Sequence, residues 1–238
     1  MPAARILIAD DHTLMRQGLC QLCERLGGFI VVAEAANGAE AVALAHSEQP
    51  DVILMDIRMP ELDGVQATRQ IIHARPTARI IALSMYEQEQ YMLNAVRAGV
   101  RAYLLKTVDA GALIAAIKAV HHGAYLIDPA IATRVLSELH LTAPGLSPTE
   151  PMTESERKVL HLVARGMDNL DIAQALNYSV YTVANRLRTI YGKLHVTNRT
   201  QAALYVLSQD QAKMDDPQAD LAMSSSAQAP APPVNALC

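Results

Sequence analysis

Five short apolar runs punctuate the first 125 residues, and between them the apolar spacing turns helical. The runs are Arg5–Ala9 (RILIA), Ile30–Glu34 (IVVAE), Val52–Met55 (VILM), Arg79–Leu83 (RIIAL) and Ala102–Leu105 (AYLL). Each is too short for a helix and rich in aliphatic residues, so each reads as a buried strand. The intervening segments carry helix signals. They are Leu14, Leu19, Leu22 and Leu26; Ala41, Leu44 and Ala45 after an Asn37–Glu40 start; Val65 to Ala74; Glu87 to Ala98, closed by Gly99; and Leu113, Ile117 and Val120 after Asp109. Such alternation implies a parallel sheet with helices on both faces. Right-handed crossovers wind it into a doubly wound, flavodoxin-like α/β unit with strand order 2-1-3-4-5.

Sheets of this kind place their functional site outside the carboxyl ends of the strands. Asp10 and Asp11 directly follow the first run, Asp56 the third, Ser84 the fourth and Lys106 the fifth. The first and third strands are neighbours in this order, so the three carboxylates converge. Clustered carboxylates repel and so suit a hard cation such as Mg²⁺. A lysine beside them can pair with a carboxylate or a phosphate. A carboxylate can also attack phosphorus to give an aspartyl phosphate. Asp56 is the central candidate, with Asp10 and Asp11 holding the metal. Any one acidic residue at a strand end reads equally well as a helix cap; five chemically matched residues at five expected positions do not.

The chain has 238 residues, enough for two domains of about 100–150. Residues 126–151 offer a helix over Pro129–Leu139 and then a proline-rich linker, LTAPGLSPTEP. Residues 152–209 form a second unit, and residues 210–238, rich in Ala, Pro and Ser, read as a disordered tail. No apolar run is long enough to span a membrane, and the N-terminus lacks a signal-peptide pattern, which leads us to expect a cytoplasmic protein. Cys20 and Cys23 make a C-x-x-C without a second pair, and read as small apolar residues on the inner side of a helix.

The formal net charge is −4, yet residues 152–209 carry 7 Lys and Arg against 4 Asp and Glu. Four helix starts follow one another there: Thr153 with Glu156, Asp168, Ser179 and Asn198. A short Asn177–Tyr178 turn joins the second and third helices into a helix-turn-helix, so the unit is an all-α, four-helix domain. From Tyr181 to Arg199 the chain has four basic residues, Arg186, Arg188, Lys193 and Arg199, and no acidic one. Tyr181, Thr182, Asn185 and Arg188 can hydrogen-bond phosphates or base edges from the end that enters the major groove. A basic stretch is often just a solvated helix face; the helix-turn-helix context favours DNA.

Residues 1–125 resemble the receiver domain of two-component response regulators, through IADDH (Ile8–His12), ILMDIRMPELDG (Ile53–Gly64), ALSMY (Ala82–Tyr86) and GVRAYLLK (Gly99–Lys106). The resemblance implies that Asp56 is the phosphoacceptor. It implies that Asp11, Asp56 and the backbone carbonyl of Arg58 bind Mg²⁺, with Asp10 nearby or acting through water. Ser84 and Tyr103 would form the switch pair, and Arg58 and Tyr86 lie where the family tunes hydrolysis. Thr107 stands where many receivers have proline. Residues 152–209 resemble the LuxR-type DNA-binding domain through MTESERKVLHLVARG, NLDIAQAL, TVANRLRTIYGKL and VTNRTQA, and the whole resembles the NarL/FixJ subfamily. Three positions depart from that pattern: Ala184 replaces a common lysine, Arg186 a histidine, and His195 a glycine.

The implied partners are promoter DNA, a sensor histidine kinase and a second copy of the chain after phosphorylation, with RNA polymerase a candidate. The chain would catalyse only its own phosphorylation and slow dephosphorylation. Two other readings compete. One is a Mg²⁺-dependent phosphatase or phosphotransferase, against which the chain shows no D-x-D signature. The other is a DNA-binding protein whose receiver-shaped module acts without phosphorylation.

Overall fold

The computed structural model describes residues 3–141 and 151–215. Most of the proline-rich linker and most of the tail fall outside these residues. Five strands, β1 (Arg5–Ala9), β2 (Ile30–Ala35), β3 (Val52–Asp56), β4 (Ile80–Ser84) and β5 (Ala102–Leu105), pair in parallel in the order β2-β1-β3-β4-β5. Every residue of β3 and β4 is buried, as a central strand covered on both faces requires. Alternate residues serve opposite faces. Leu7, Ile53, Met55 and Ile80 pack against α2 (Gly38–Glu48), α3 (Gly64–Ala74) and α4 (Glu89–Ala98). Ile6, Ile8, Leu54 and Ile81 pack against α1 (Thr13–Leu22) and α5 (Ala110–His121).

The helix starts follow the sequence signals. Asn37 Oδ1 accepts from the Glu40 amide, Asp63 from Gln66 and Asp109 from Ala112. The first helix departs from its expected course. It ends at Leu22 and continues as a π-helical turn, Cys23–Gly27. The extra residue in that turn shifts the helical phase. Leu26 is therefore exposed, Leu14 is exposed too, and Cys23 takes the buried position. Burial lifts the Cys20 thiol to about 12 and that of Cys23 to about 11, which keeps both protonated and unreactive.

A further helix, α6 (Pro129–Leu141), is more than a connector. Its Ile131, Ala132, Val135 and Leu136 are buried in the same apolar cluster as α4. Four helices follow: α7 (Glu154–Ala164), α8 (Asn169–Leu176), α9 (Val180–Leu194) and α10 (Arg199–Asp215). Val159, Val163, Ile172, Val183, Leu187, Ile190 and Ala202 form their core. Thr153 and Glu156 close a capping box at α7, and Asp168 and Asp171 close another at α8. The last helix runs through Asp215, so the tail boundary expected at 209 falls inside it.

His195 ends α9 in the left-handed region, at φ 55°. A non-glycine residue there crowds its own Cβ. Among the described residues, the buried Nε2 of His195 has no hydrogen-bond partner to offset this. His195→Gly is expected to raise the stability of the helical unit by about 0.5–1 kcal/mol, the relieved crowding exceeding the entropy cost of glycine. Urea unfolding followed by far-ultraviolet dichroism checks it.

Candidate functional site

At the carboxyl ends of β1, β3 and β5 the structure brings Asp10, Asp11, Asp56 and Lys106 together. Lys106 Nζ lies 2.7 Å from Asp10 Oδ2 and 2.6 Å from Asp56 Oδ2. Asp10 and Asp56 are almost fully buried. Burial raises the Asp56 pKa above the usual carboxylate value; the Lys106 ammonium opposes this without overcoming it, and the Asp10 charge adds to it. Burial works against the Lys106 charge, but its hydrogen bonds to the two carboxylates outweigh that and raise its pKa.

One lysine thus serves two buried carboxylates, with a third beside them. Carboxylate oxygens of Asp10, Asp11 and Asp56 and a ring nitrogen of His12 all lie within 4.8 Å of one another. Asp10 Oδ2 and Asp11 Oδ1 are shielded from solvent; Lys106 Nζ stands 2.7 Å from the first and His12 Nδ1 2.8 Å from the second. Shielded oxygen donors gathered this closely fit a hard divalent cation.

Ser84 ends β4, buried, with its Oγ accepting from the Tyr86 amide at 3.0 Å. The Tyr103 hydroxyl donates to the Tyr86 carbonyl at 2.8 Å. Both switch candidates therefore grip the same residue of the β4–α4 loop. Arg58 donates to the Tyr86 hydroxyl at 3.0 Å and stacks over its ring, and the Tyr86 ring packs against Tyr91 of α4 at 5.3 Å. A cavity of about 840 Å³ opens over Asp11, Arg58 and Tyr86. The Arg58 amide donates to Asp56 Oδ1 at 3.3 Å, holding the loop after β3. The peptide bond between Lys106 and Thr107 is trans.

Three supports of this site carry no chemistry of their own and escaped the sequence reading. Arg16 on α1 donates to the Asp10 carbonyl. His12 lies 2.8 Å from Asp11 Oδ1. A Cβ on Gly64 would stand 1.8 Å from the Asp56 carbonyl oxygen, so only glycine lets α3 start this close to β3. The one available signal was the glycine itself, at the start of a helix.

The second candidate surface is α9. Val183, Leu187, Ile190 and Leu194 face the core. On the opposite side Tyr181, Asn185 and Arg188 share one exposed stripe, and Tyr181 is 76% exposed. The other residues expected to meet DNA are engaged elsewhere. Thr182 is half-buried, its amide and hydroxyl bonded to the Ser179 cap. Arg186 stacks on the Tyr178 ring at 4.8 Å and donates to Ser155. Lys193 pairs with Glu156 at 2.9 Å. Burial disfavours the Glu156 charge, but Lys193 and the Thr153 cap outweigh that and hold its pKa below the usual value. Arg199 begins α10 rather than ending the third helix, is 2% exposed, and donates to Asn169 Oδ1 and the Met167 carbonyl. Arg186 and Lys193 are thus half-buried against α7 and Arg199 is buried, so Tyr181, Asn185 and Arg188 are the residues of that set left exposed.

Comparison with known proteins resolves what this pairing of an acidic pocket and a helix-turn-helix belongs to. Residues 6–118 match the response regulator receiver domain, and residues 150–206 match the bacterial regulatory proteins of the luxR family. The transcriptional regulatory protein LiaR of Bacillus subtilis is 37% identical over 201 residues, spanning 84% of this chain and 95% of that protein. The chain is a response regulator.

Other relatives agree. The response regulator protein VraR of Staphylococcus aureus is 34% identical over 84% of this chain and 95% of its own. A LuxR-family two-component response regulator from Aurantimonas matches at 37% identity and a TM-score of 0.52, over 58% of this chain and 98% of that one. The receiver domain of NarL from Mycobacterium tuberculosis matches at 29% identity and a TM-score of 0.50, over 52% of this chain and 99% of that one. This response regulator is therefore of NarL/FixJ type, a receiver joined to a LuxR-type DNA-binding domain. Its relatives are transcription regulators and not enzymes. Such an architecture implies DNA and a sensor kinase as partners. No helix among the described residues is long and apolar enough to cross a membrane.

Proposed function

We propose that Asp56 accepts a phosphoryl group from a sensor histidine kinase in the cytoplasm, and that this controls dimerisation and sequence-specific binding to promoter DNA. The observation that carries the reading is the buried Asp10–Lys106–Asp56 arrangement below an open cavity. An Asp56 carboxylate oxygen attacks phosphorus and forms a P–O bond, giving an acyl phosphate, while the P–N bond of the phosphohistidine breaks and its nitrogen keeps the electron pair. Lys106 stands at that oxygen to meet the charge on the phosphoryl group. Asp10, Asp11, Asp56 and the Arg58 carbonyl would hold Mg²⁺, which when bound neutralises phosphoryl oxygens.

Ser84, at the end of the strand beside β3, carries the hydroxyl that turns toward such a group in this reading. Turning releases the Tyr86 amide that it now holds. Tyr103, bound to the carbonyl of the same residue, follows that loop. The exposed Tyr181–Asn185–Arg188 stripe of α9 is the surface offered to the major groove. RNA polymerase is the partner through which a bound regulator would act on transcription. Receiver, linker and DNA-binding domain divide at about residues 125 and 151 in this reading, and the last domain runs on through α10.

The test compares wild type and Asp56→Ala with acetyl phosphate and Mg²⁺, measuring phosphoryl incorporation, oligomeric state and affinity for promoter fragments. Incorporation with tighter DNA binding in the wild type alone is the expected result. Equal behaviour of the two proteins refutes the reading.

A further inference from the structure

Arginine is almost never fully buried unless its charge is paired. Two arginines of this chain are buried to 2% exposure, one from each domain: Arg101, directly before β5, and Arg199, the first residue of α10. Among the described residues neither forms an ion pair with a carboxylate. Arg101 Nη1 donates to the Gly123 carbonyl at a long 3.5 Å, and its guanidinium stacks over the Tyr125 ring at 5.1 Å. Arg199 donates to Asn169 Oδ1 and the Met167 carbonyl, and its Nε is shielded from solvent with no partner among the described residues.

The two charges approach one seam from opposite sides. Gly123 after α5 and Gly166 after α7 meet backbone to backbone; a Cβ on Gly166 would stand 2.0 Å from the Gly123 carbonyl oxygen. Arg101 is bonded to Gly123, and Arg199 to Met167, the neighbour of Gly166. Each arginine has a tyrosine beside it. Tyr125 packs against the core of the helical domain, and its hydroxyl is shielded from solvent with no partner among the described residues. Burial lifts the Tyr191 hydroxyl of α9 to about 12, against the pull of Arg199 and Arg101, so it is a neutral donor. Burial also works against the Arg101 charge, and Arg79 and Arg199 add to that, opposed by Tyr125 and Asp168. Asp168 is the carboxylate in this balance, and its Oδ1 already accepts the Leu170 and Asp171 amides at the start of α8.

A guanidinium keeps its charge even when buried, and a buried charge without a counter-charge is strongly unfavourable. We propose that a small inorganic anion of chloride's size supplies that counter-charge at the Gly123–Gly166 seam, held by Arg101 and Arg199 and by the hydroxyls of Tyr125 and Tyr191. Both guanidiniums and both hydroxyls are donors, the set an anion requires. The two backbones meet too closely there for a nucleotide or a phosphate ester, which selects a monatomic ion. Each domain supplies one arginine and one tyrosine, so the site is complete only in the full chain. It neither involves Asp56 nor depends on the phosphoryl reading.

The test exchanges the full chain into sodium gluconate, whose anion is too large for the seam, and titrates in chloride at constant ionic strength. Chloride NMR line width reads binding, and thermal melting reads its stabilising effect. Wild type is expected to broaden the chloride line saturably and to melt several degrees higher in chloride than in gluconate. Tyr125→Phe removes one donor and keeps the ring under Arg101. Its chloride affinity is expected to fall about tenfold, the loss of one hydrogen bond to a charged partner. Arg101→Met removes the charge and keeps most of the length; it is expected to lose saturable broadening and to melt alike in both salts. Circular dichroism checks folding, and where Arg101→Met does not fold, Tyr125→Phe decides alone. A wild type that chloride neither broadens nor stabilises overturns the site. Broadening and stabilisation of equal size in wild type and folded variants also overturn it, marking an adventitious ion only.

Discussion

Asp56→Asn is expected to fold, to melt a few degrees higher than wild type at pH 7 without Mg²⁺, and to take up no phosphoryl group from acetyl phosphate. Loss of uptake follows from chemistry: an amide oxygen is a poor nucleophile toward phosphorus and leaves no stable product. The stability gain follows from the cluster. Burial and the Asp10 charge raise the folded pKa of Asp56 above its unfolded value. A group shifted in that direction contributes its stability when protonated, fully below the unfolded value near 3.8, and loses it as pH rises through the folded pKa. At pH 7 the ionised side chain is a cost, and asparagine mimics the neutral form. The variant should exceed wild type by roughly 2–5 °C at pH 7. That margin should shrink as the pH falls through the folded pKa of Asp56 and vanish below the unfolded value near 3.8. Thermal unfolding across pH 3.5–8 measures it, and a margin that grows toward acid pH refutes the assignment of a costly charge. Millimolar Mg²⁺ should then reverse the order, because ligand binding stabilises only the protein that keeps all three carboxylates.

The receiver half of the site was legible because its residues stand where one periodicity gives way to another. Asp10, Asp11, Asp56, Ser84 and Lys106 end or follow strands, and strand ends show as a switch from apolar to polar residues. Their convergence came from strand order, which the crossover rule restricts. The supports were less visible. Gly64 matters through a backbone approach that appears only when α3 is placed against β3. The π-helical turn at Cys23–Gly27 leaves no mark in the leucine spacing, and Leu14 and Leu26, which share that spacing, are both exposed. The contact of α10 with α4 is invisible in the sequence because Asn198 and Gln201 read as an ordinary helix start. Asn198 does cap α10, accepting from the Gln201 amide, and its second atom reaches α4.

The basic residues of α9 show how periodicity, applied strictly, sorts what composition does not. Tyr181, Asn185 and Arg188 lie four and three residues apart on one stripe, whereas Arg186 and Lys193 lie seven apart on another, facing Ser155 and Glu156 of α7. Arg199 had no such signal, because its partners Met167 and Asn169 lie in another turn of the chain.

Two arginines eleven positions apart should therefore fail in opposite ways when replaced. Arg188→Ala removes an exposed side chain from the recognition stripe. The domain should keep its stability within about 0.5 kcal/mol, while promoter affinity falls about tenfold to a hundredfold. If Arg188 meets a phosphate rather than a base, the loss should be uniform across sequences and the salt dependence shallower by about one ion. Arg199→Ala instead empties a buried space and strands the Met167 carbonyl and the Asn169 side chain. Its cost should be about 2–4 kcal/mol of domain stability, and any loss of DNA binding should track the unfolded fraction. Urea denaturation and fluorescence anisotropy with one labelled promoter fragment separate the two cases. A stable Arg199→Ala protein that binds DNA weakly would return Arg199 to the interface. An Arg188→Ala protein with full affinity would move the contact surface off the outer stripe of α9.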